Sequence, residues 1–117
     1  MIRSYKDLIV WQKSMDLVES IYHITENLPS KEQFGLISQM RRAAVSIPSN
    51  IAEGYGRQSS GSYAQFLSIA RGSLLELETQ LELCLRLEFI PQIDTEKILT
   101  EVIEISKMLS SLITKIK

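Results

Sequence analysis

The sequence predicts an all-α protein, an antiparallel up-down-up-down four-helix bundle with its second helix kinked at a proline, as one domain over residues 1–117. Three observations predict it. Apolar residues recur at steps of three and four along four separate segments, the period of a helix that buries one face. The segments have similar lengths, about 22 residues or roughly 33 Å each. The breaks between them are short and marked by proline or glycine, which makes successive helices antiparallel neighbours.

The first segment runs from about Tyr5 to Asn27, with Ser4 as its cap and Asp7 three residues on. It carries two apolar seams. One passes through Leu8, Trp11, Met15, Val18 and Tyr22, the other through Val10, Leu17, Ile21, Ile24 and Leu28, with Ser14 on the same line. Pro29 ends it.

The second segment, from about Lys31 to Tyr55, opens on the capping pair Ser30 and Gln33 and follows Leu36, Met40, Ala43, Ile47 and Ile51. Gly54 and Gly56 stop it. Pro48 removes one helical donor and crowds the carbonyl of Ala44, at about 3 kcal/mol. A new helix starting there would need Ile47 as its cap, and isoleucine caps poorly. One kinked helix is therefore the expectation.

The third segment runs from about Tyr63 to Glu88, capped by Ser62 and Gln65, with its core seam through Phe66, Ala70, Leu74, Leu77, Leu81 and Leu85. Phe89, Ile90 and Pro91 end it. The fourth runs from about Thr95 to Ile116, with Asp94 as cap. Ile98, Val102, Ile105, Leu109, Leu112 and Ile116 keep a heptad rhythm along it. The stretch from Gly54 to Gly61 is the longest expected link.

Composition bounds the function. The chain has 117 residues, 44% of them apolar, with three prolines and five glycines, which suffices for one hydrophobic core without disulfides or metals. A net charge of −1 argues against a dedicated nucleic-acid-binding domain, whose basic excess is its usual mark. The single cysteine, Cys84, has no intrachain partner and sits among leucines, which fits a core residue and a reducing cytoplasm. The opening residues are not a signal peptide, and no stretch approaches the roughly 18 apolar residues of a membrane span.

Catalytic and metal chemistry find no anchor. His23 is the one histidine, and Glu19 stands four residues before it, whereas a di-iron bundle needs two Glu-x-x-His motifs. No Ser, His and acid spacing marks a triad. Gly54 to Ser62 lacks the Gly-Lys-Ser/Thr ending of a phosphate cradle and fits an interhelix turn. No cofactor is expected, and the protein is expected not to be an enzyme.

Two surfaces stand out instead. Helices one and four carry more apolar surface than a solitary bundle needs, and contiguous apolar stripes mark interfaces, so self-association is expected. Helix two bears a polar line, Gln39, Arg42, Ser46, Asn50 and Glu53, at steps of three and four. Residues 30–61 hold four basic and two acidic residues, and residues 62–90 hold two basic and four acidic. Packing the two helices side by side neutralises both. The polar line is thus expected to form a register-fixing network with Arg71 and Glu76 of helix three, Glu53 pairing with Arg71 or Arg42. The competing reading is a polar groove for a ligand or an RNA backbone. Arg41, Arg42 and Arg57 are the candidate nucleic-acid contacts, and an oligomer that brings copies of Arg41 and Arg57 into a ring would multiply the field.

Three segments carry a family likeness: Asp7–Lys13 (DLIVWQK), Phe34–Gly54 (FGLISQMRRAAVSIPSNIAEG) and Ile69–Leu81 (IARGSLLELETQL). Together they resemble the four-helix-bundle proteins named for intervening sequences in bacterial 23S rRNA genes, over essentially the whole chain. The resemblance implies an antiparallel four-helix bundle assembled as a homopentamer, with no established molecular role. A related group, the accessory proteins of diversity-generating retroelements, forms basic pentameric barrels that bind nucleic acid, and this chain departs from it in being slightly acidic. Ser46, Pro48, Asn50, Glu53, Arg71, Gly72 and Glu76 match the family pattern. Gly72, in mid-helix, is expected to permit close helix approach. Two functions follow as expectations. One is a homo-oligomeric accessory of RNA or a ribonucleoprotein. The other is a protein-interaction scaffold that binds no nucleic acid.

Overall fold

A computed structural model describes all 117 residues. It is all-α, with helices α1 (Ile9–Thr25), α2 (Ser38–Tyr55), α3 (Ser60–Arg86) and α4 (Gln92–Ile116) and no strand. The lengths are not matched as the periodicity suggests: 17 and 18 residues for the first two, 27 and 25 for the last two. Local chemistry at each start explains the difference.

The Ser4–Asp7 capping box forms, but it closes a single 3-10 turn, Tyr5–Asp7. The Lys6 amide donates to Ser4 Oγ at 3.1 Å, and the Arg3 and Ser4 amides donate to Asp7 Oδ2. Leu8 is then extended (ψ 123°) and packs on the core, so α1 begins only at Ile9. The second segment departs further. Ser30–Glu32 is a 3-10 turn and Gln33–Ile37 a π-helical turn, with Gly35 outside helical geometry at φ −109° and ψ −111°. The Ser30–Gln33 cap does not form. Glu32 takes that place, its carboxylate accepting the Leu36 amide at 3.4 Å. This stretch between α1 and α2, not Gly54–Gly61, is the longest connection.

At α3 the cap is Ser59 rather than Ser62, its hydroxyl accepting the Ser62 amide at 3.1 Å. The helix ends in a Schellman pair, Phe89 N to Cys84 O and Glu88 N to Leu85 O. Glu88 holds the left-handed position of that motif, φ 60°. A Cβ is unfavourable there by about 1 kcal/mol. Glu88→Gly is accordingly expected to stabilise the protein by roughly 1 kcal/mol, read as a higher urea midpoint at unchanged slope. Helix α4 starts at Gln92 behind Pro91, and Asp94 falls in its first turn rather than at its cap.

One cluster of 22 buried apolar residues forms the core. Of the two seams on α1, the one through Val10, Leu17 and Ile21 is buried, and the Leu8–Tyr22 seam lies at the edge or outside. Ser14 and Thr25 are buried on the core seam because their hydroxyls donate to Val10 O and Ile21 O one turn back, at 2.7 and 2.6 Å. On α3, Leu67 and Cys84 take the buried places expected for Phe66 and Leu85. The Cys84 thiol lies 3.7 Å from Met40 Sδ, and its burial, with the charge of Glu32 added, pushes its pKa up to about 11.

Helix α2 continues through Pro48, which is buried. It also continues through Gly54, which was expected to stop it; the helix ends at Tyr55 with Gly56 as cap. Gly54 lies tight against α3: a Cβ there would stand 2.8 Å from Phe66 Cβ and 3.1 Å from Tyr63 Cδ1. At Gly72, by contrast, a Cβ would meet nothing within 4 Å. Close approach within the chain therefore belongs to Gly54, not to Gly72.

Both α1 and α3 pack against α2 and α4. Along the α2–α3 seam, Met40 meets Cys84, Arg42 meets Glu76, and Ser46 meets Ser73. Between α1 and α4, Lys13 pairs with Glu104 at 2.9 Å. That bond and the charge of Glu104 raise the lysine's pKa. No helix is long and apolar enough to cross a membrane.

Candidate functional site

The polar line of α2 lies along its seam with α3. Arg42 Nη2 donates to Gln39 Oε1 at 2.9 Å and to Glu76 Oε2 at 3.0 Å. One turn on, Ser46 and Ser73 share a hydroxyl hydrogen bond of 2.8 Å. Asn50 Nδ2 donates to the Ser46 carbonyl at 2.8 Å and to its hydroxyl at 2.9 Å. Gln39, Arg42, Ser46, Asn50 and Glu76 are thus joined in two adjacent groups. Glu53 and Arg71 are not among them. Glu53 faces Arg57, one turn along its own helix, at 3.8 Å, and Arg71 reaches across to Ser110 Oγ of α4 at 3.3 Å. An arginine on the α4 flank of α3 is out of reach of an acid on the α2 flank.

The seam is a surface feature more than a buried one. The Arg42 side chain is 62% exposed, so its bridge to Glu76 contributes about 0–1 kcal/mol and chiefly sets register. Two participants escaped the sequence reading. Ser73 reads as an ordinary helix-surface serine. Gln80 is buried, donates to Glu76 Oε2 at 3.4 Å, and leaves its Oε1 as the one buried side-chain polar atom without a partner. Its position seven residues before Leu87 carries no polar pattern that would single it out.

The three candidate arginines do not converge. Arg41 and Arg42 lie in the first turn of α2 and Arg57 lies beyond its end, roughly 24 Å away at 1.5 Å per residue. Each is engaged within the chain. Arg41 Nε donates to Thr25 Oγ1 at 2.9 Å, and its guanidinium lies over the Tyr22 ring at 4.5 Å. Arg57 lies over the Phe66 ring at 4.5 Å. His23 is exposed, and no group of three His, Cys, Asp or Glu side chains is placed to hold a metal ion.

Uncovered apolar surface is the larger feature. Trp11, Met15 and Val18 of α1 face Val45, Pro48 and Ala52 of α2 across a groove of about 370 Å³. Val45 also belongs to the adjoining groove, about 470 Å³, with Tyr22, Phe34, Ile37, Arg41 and Arg42. Phe34 is 90% exposed there. On α3, Ile69, Gly72, Leu75 and Leu83 are exposed. Part of the apolar surface expected on helices one and four lies between them, in an α1–α4 groove of about 500 Å³ lined by Leu8, Ile9, Val10, Met108 and Leu112. Elsewhere α1 exposes Met15 and Tyr22, α2 Val45, α3 Ile69, Leu75 and Leu83, and α4 Ile93 and Ile103.

The fold and surface define a class: a small all-α protein of four helices around one apolar core, with a polar seam between α2 and α3 and several exposed apolar side chains. The profile of the 23S rRNA-intervening sequence protein family matches residues 6–111. The chain belongs to that family. It is similar to the crystal structure of a protein of unknown function from the S23 ribosomal protein family of Bacteroides thetaiotaomicron. That likeness has 32% identity over 90% of this chain and 98% of the other, with a TM-score of 0.81. No curated protein matches the chain.

Proposed function

We propose that the protein is a non-enzymatic homo-oligomer that serves as an accessory of RNA or a ribonucleoprotein in the cytoplasm. The observation that carries the assembly is the uncovered apolar surface on α1, α2 and α3, where Ile9, Met15, Tyr22, Val45, Ile69, Leu75 and Leu83 are exposed. Contiguous patches of that kind mark interfaces. The family likeness supports a pentamer. The pairing order along the seams (Met40 with Cys84, Arg42 with Glu76, Ser46 with Ser73) supports an up-down-up-down bundle, and Pro48 supports a bend in α2.

RNA association is supported by the family's name and by the related structure's ribosomal description. In a ring, Arg42 and Arg57 would each recur once per subunit, raising the local positive field. A second reading, a protein scaffold without nucleic acid, is favoured by one observation: all three candidate arginines already have partners inside the chain. A gel shift against 23S rRNA fragments over a salt series separates the two. RNA association predicts retention at low salt that weakens steeply as salt rises. Arg42→Ala with Arg57→Ala should weaken it further and flatten that slope. No retention at low salt would remove the RNA part and leave the scaffold.

A further inference from the structure

Aromatic rings and uncompensated cations come together in the groove of about 470 Å³ beside the start of α2, where Tyr22, Phe34, Arg41 and Arg42 meet. The other grooves lack that combination. The larger α1–α4 groove holds Lys107 and Lys115, but also Asp7 and no aromatic side chain. The α1–α2 groove holds Tyr5 and Trp11 and no charge. The groove around His23 sets Lys97 against Asp94 and Glu101. Of these, only the first offers flat apolar faces next to positive charge with no carboxylate in its wall.

The chain's own structure holds these side chains in place. Phe34 sits in the π-helical turn, next to the kink at Gly35, with its side chain 90% exposed. Burying such a side chain on the core would contribute about 1.5–3 kcal/mol, which this turn forgoes. The Glu32 carboxylate accepts the Leu36 amide and does not line the groove. Arg41 lies over the Tyr22 ring, its Nε and Nη2 bound to Thr25 Oγ1 and the Tyr22 carbonyl. Those bonds fix the guanidinium and leave its Nη1 hydrogens unbonded, and Arg41 has no carboxylate partner. Arg42 meets Glu76 only in an exposed, weak bridge through Nη2, so its remaining donors are open to an anion.

One kind of partner matches both halves of the groove. Unpaired bases stack on aromatic faces and guanidinium planes, and their phosphates accept arginine N–H groups. A duplex offers phosphates but keeps its bases stacked on one another, so Phe34 gains nothing from it. A purely apolar partner would desolvate Arg41 and Arg42 without compensation.

We infer that this groove is a stacking site for unpaired bases of RNA, with Phe34 as the platform and Arg41 and Arg42 holding the adjacent phosphates. This rests on the RNA association proposed above and names its strand class and its place on the chain.

The test measures binding of a short labelled single-stranded RNA, and of the same strand annealed to its complement, by fluorescence anisotropy across a salt series. Wild type is expected to bind the single strand more tightly than the duplex. Phe34→Ala is expected to weaken single-strand binding about 5- to 150-fold, the range of one base–aromatic stack, without changing its salt slope. Phe34→Leu, which keeps apolar bulk without a stacking face, is expected to weaken it comparably, and Phe34→Trp to retain it. Arg42→Ala is expected to flatten the slope of log affinity against log salt by about 0.7. Phe34 is exposed, so its exchange leaves the core intact, and circular dichroism and light scattering follow helicity and mass. A wild type that binds neither RNA at low salt overturns this inference together with the RNA association. Equal binding of duplex and single strand overturns the stacking site alone. So does wild-type affinity in Phe34→Ala or Phe34→Leu, or an unchanged salt slope in Arg42→Ala. A loss of mass in Phe34→Ala also overturns it, by assigning the ring to a contact with another copy of the chain.

Discussion

Leu77→Ala should lower the stability of the protein by about 3–5 kcal/mol and its melting temperature by roughly 10–20 °C. Leu77 is fully buried near the middle of α3, the helix that packs against both α2 and α4. Truncation removes its own transfer energy and leaves a void that two flanking helices cannot both close. Leu75, two residues earlier, supplies the control, because it is exposed and its truncation leaves no void. Urea unfolding at a protein concentration low enough to dissociate the assembly checks the pair, with a lower midpoint at unchanged slope for Leu77→Ala alone.

Gly54→Ala is the second large effect and runs against helix propensity. Alanine should favour a helix interior by about 1 kcal/mol. Here the added methyl would stand 2.8 Å from Phe66 Cβ and 3.3 Å from the Tyr63 carbonyl oxygen, a group fixed in the backbone of α3. α2 and α3 must separate to admit it, and overpacking of this kind costs about 1–3 kcal/mol. The Gly72→Ala exchange has the opposite sign within a single protomer, about 1 kcal/mol of gain, because no atom opposes it. Thermal melts of the two variants under dissociating conditions should move in opposite directions.

The four helices and most of the core were legible in the sequence because heptad-like spacing reports which face is buried. The α4 line through Ile98, Val102, Ile105 and Leu109 is the plainest case. Helix starts were less legible. Ser4 with Asp7 satisfies a capping box equally well on one 3-10 turn or on a long helix. Three residues in the Ser59–Ser62 stretch are serines, and only tertiary placement selects Ser59. The roles of Gly54 and Gly72 were exchanged for a related reason. A glycine near a helix end looks like a stop, and one in mid-helix looks like a crossing point. Which of them faces the neighbouring helix depends on rotation about the axis, which a one-residue shift of the seam alters by about 100°.

The polar line shows the same division. Its residues were identifiable by step size, and their partners were not. Arg71 and Glu76 are five residues apart, which places them on opposite flanks of α3, so one turns to Ser110 and the other to Arg42. The outward apolar residues of α3 were hidden because leucines recur so densely along this helix that spacing alone does not separate the buried line from the exposed Leu75 and Leu83.

The most direct measurement is the absolute mass of the wild-type chain at micromolar concentration in ordinary buffer. An account in which α1, α2 and α3 present interface surface predicts a mass several times 13.3 kDa, stable on dilution through the column. A single species of 13.3 kDa, helical and without tendency to associate, would contradict it.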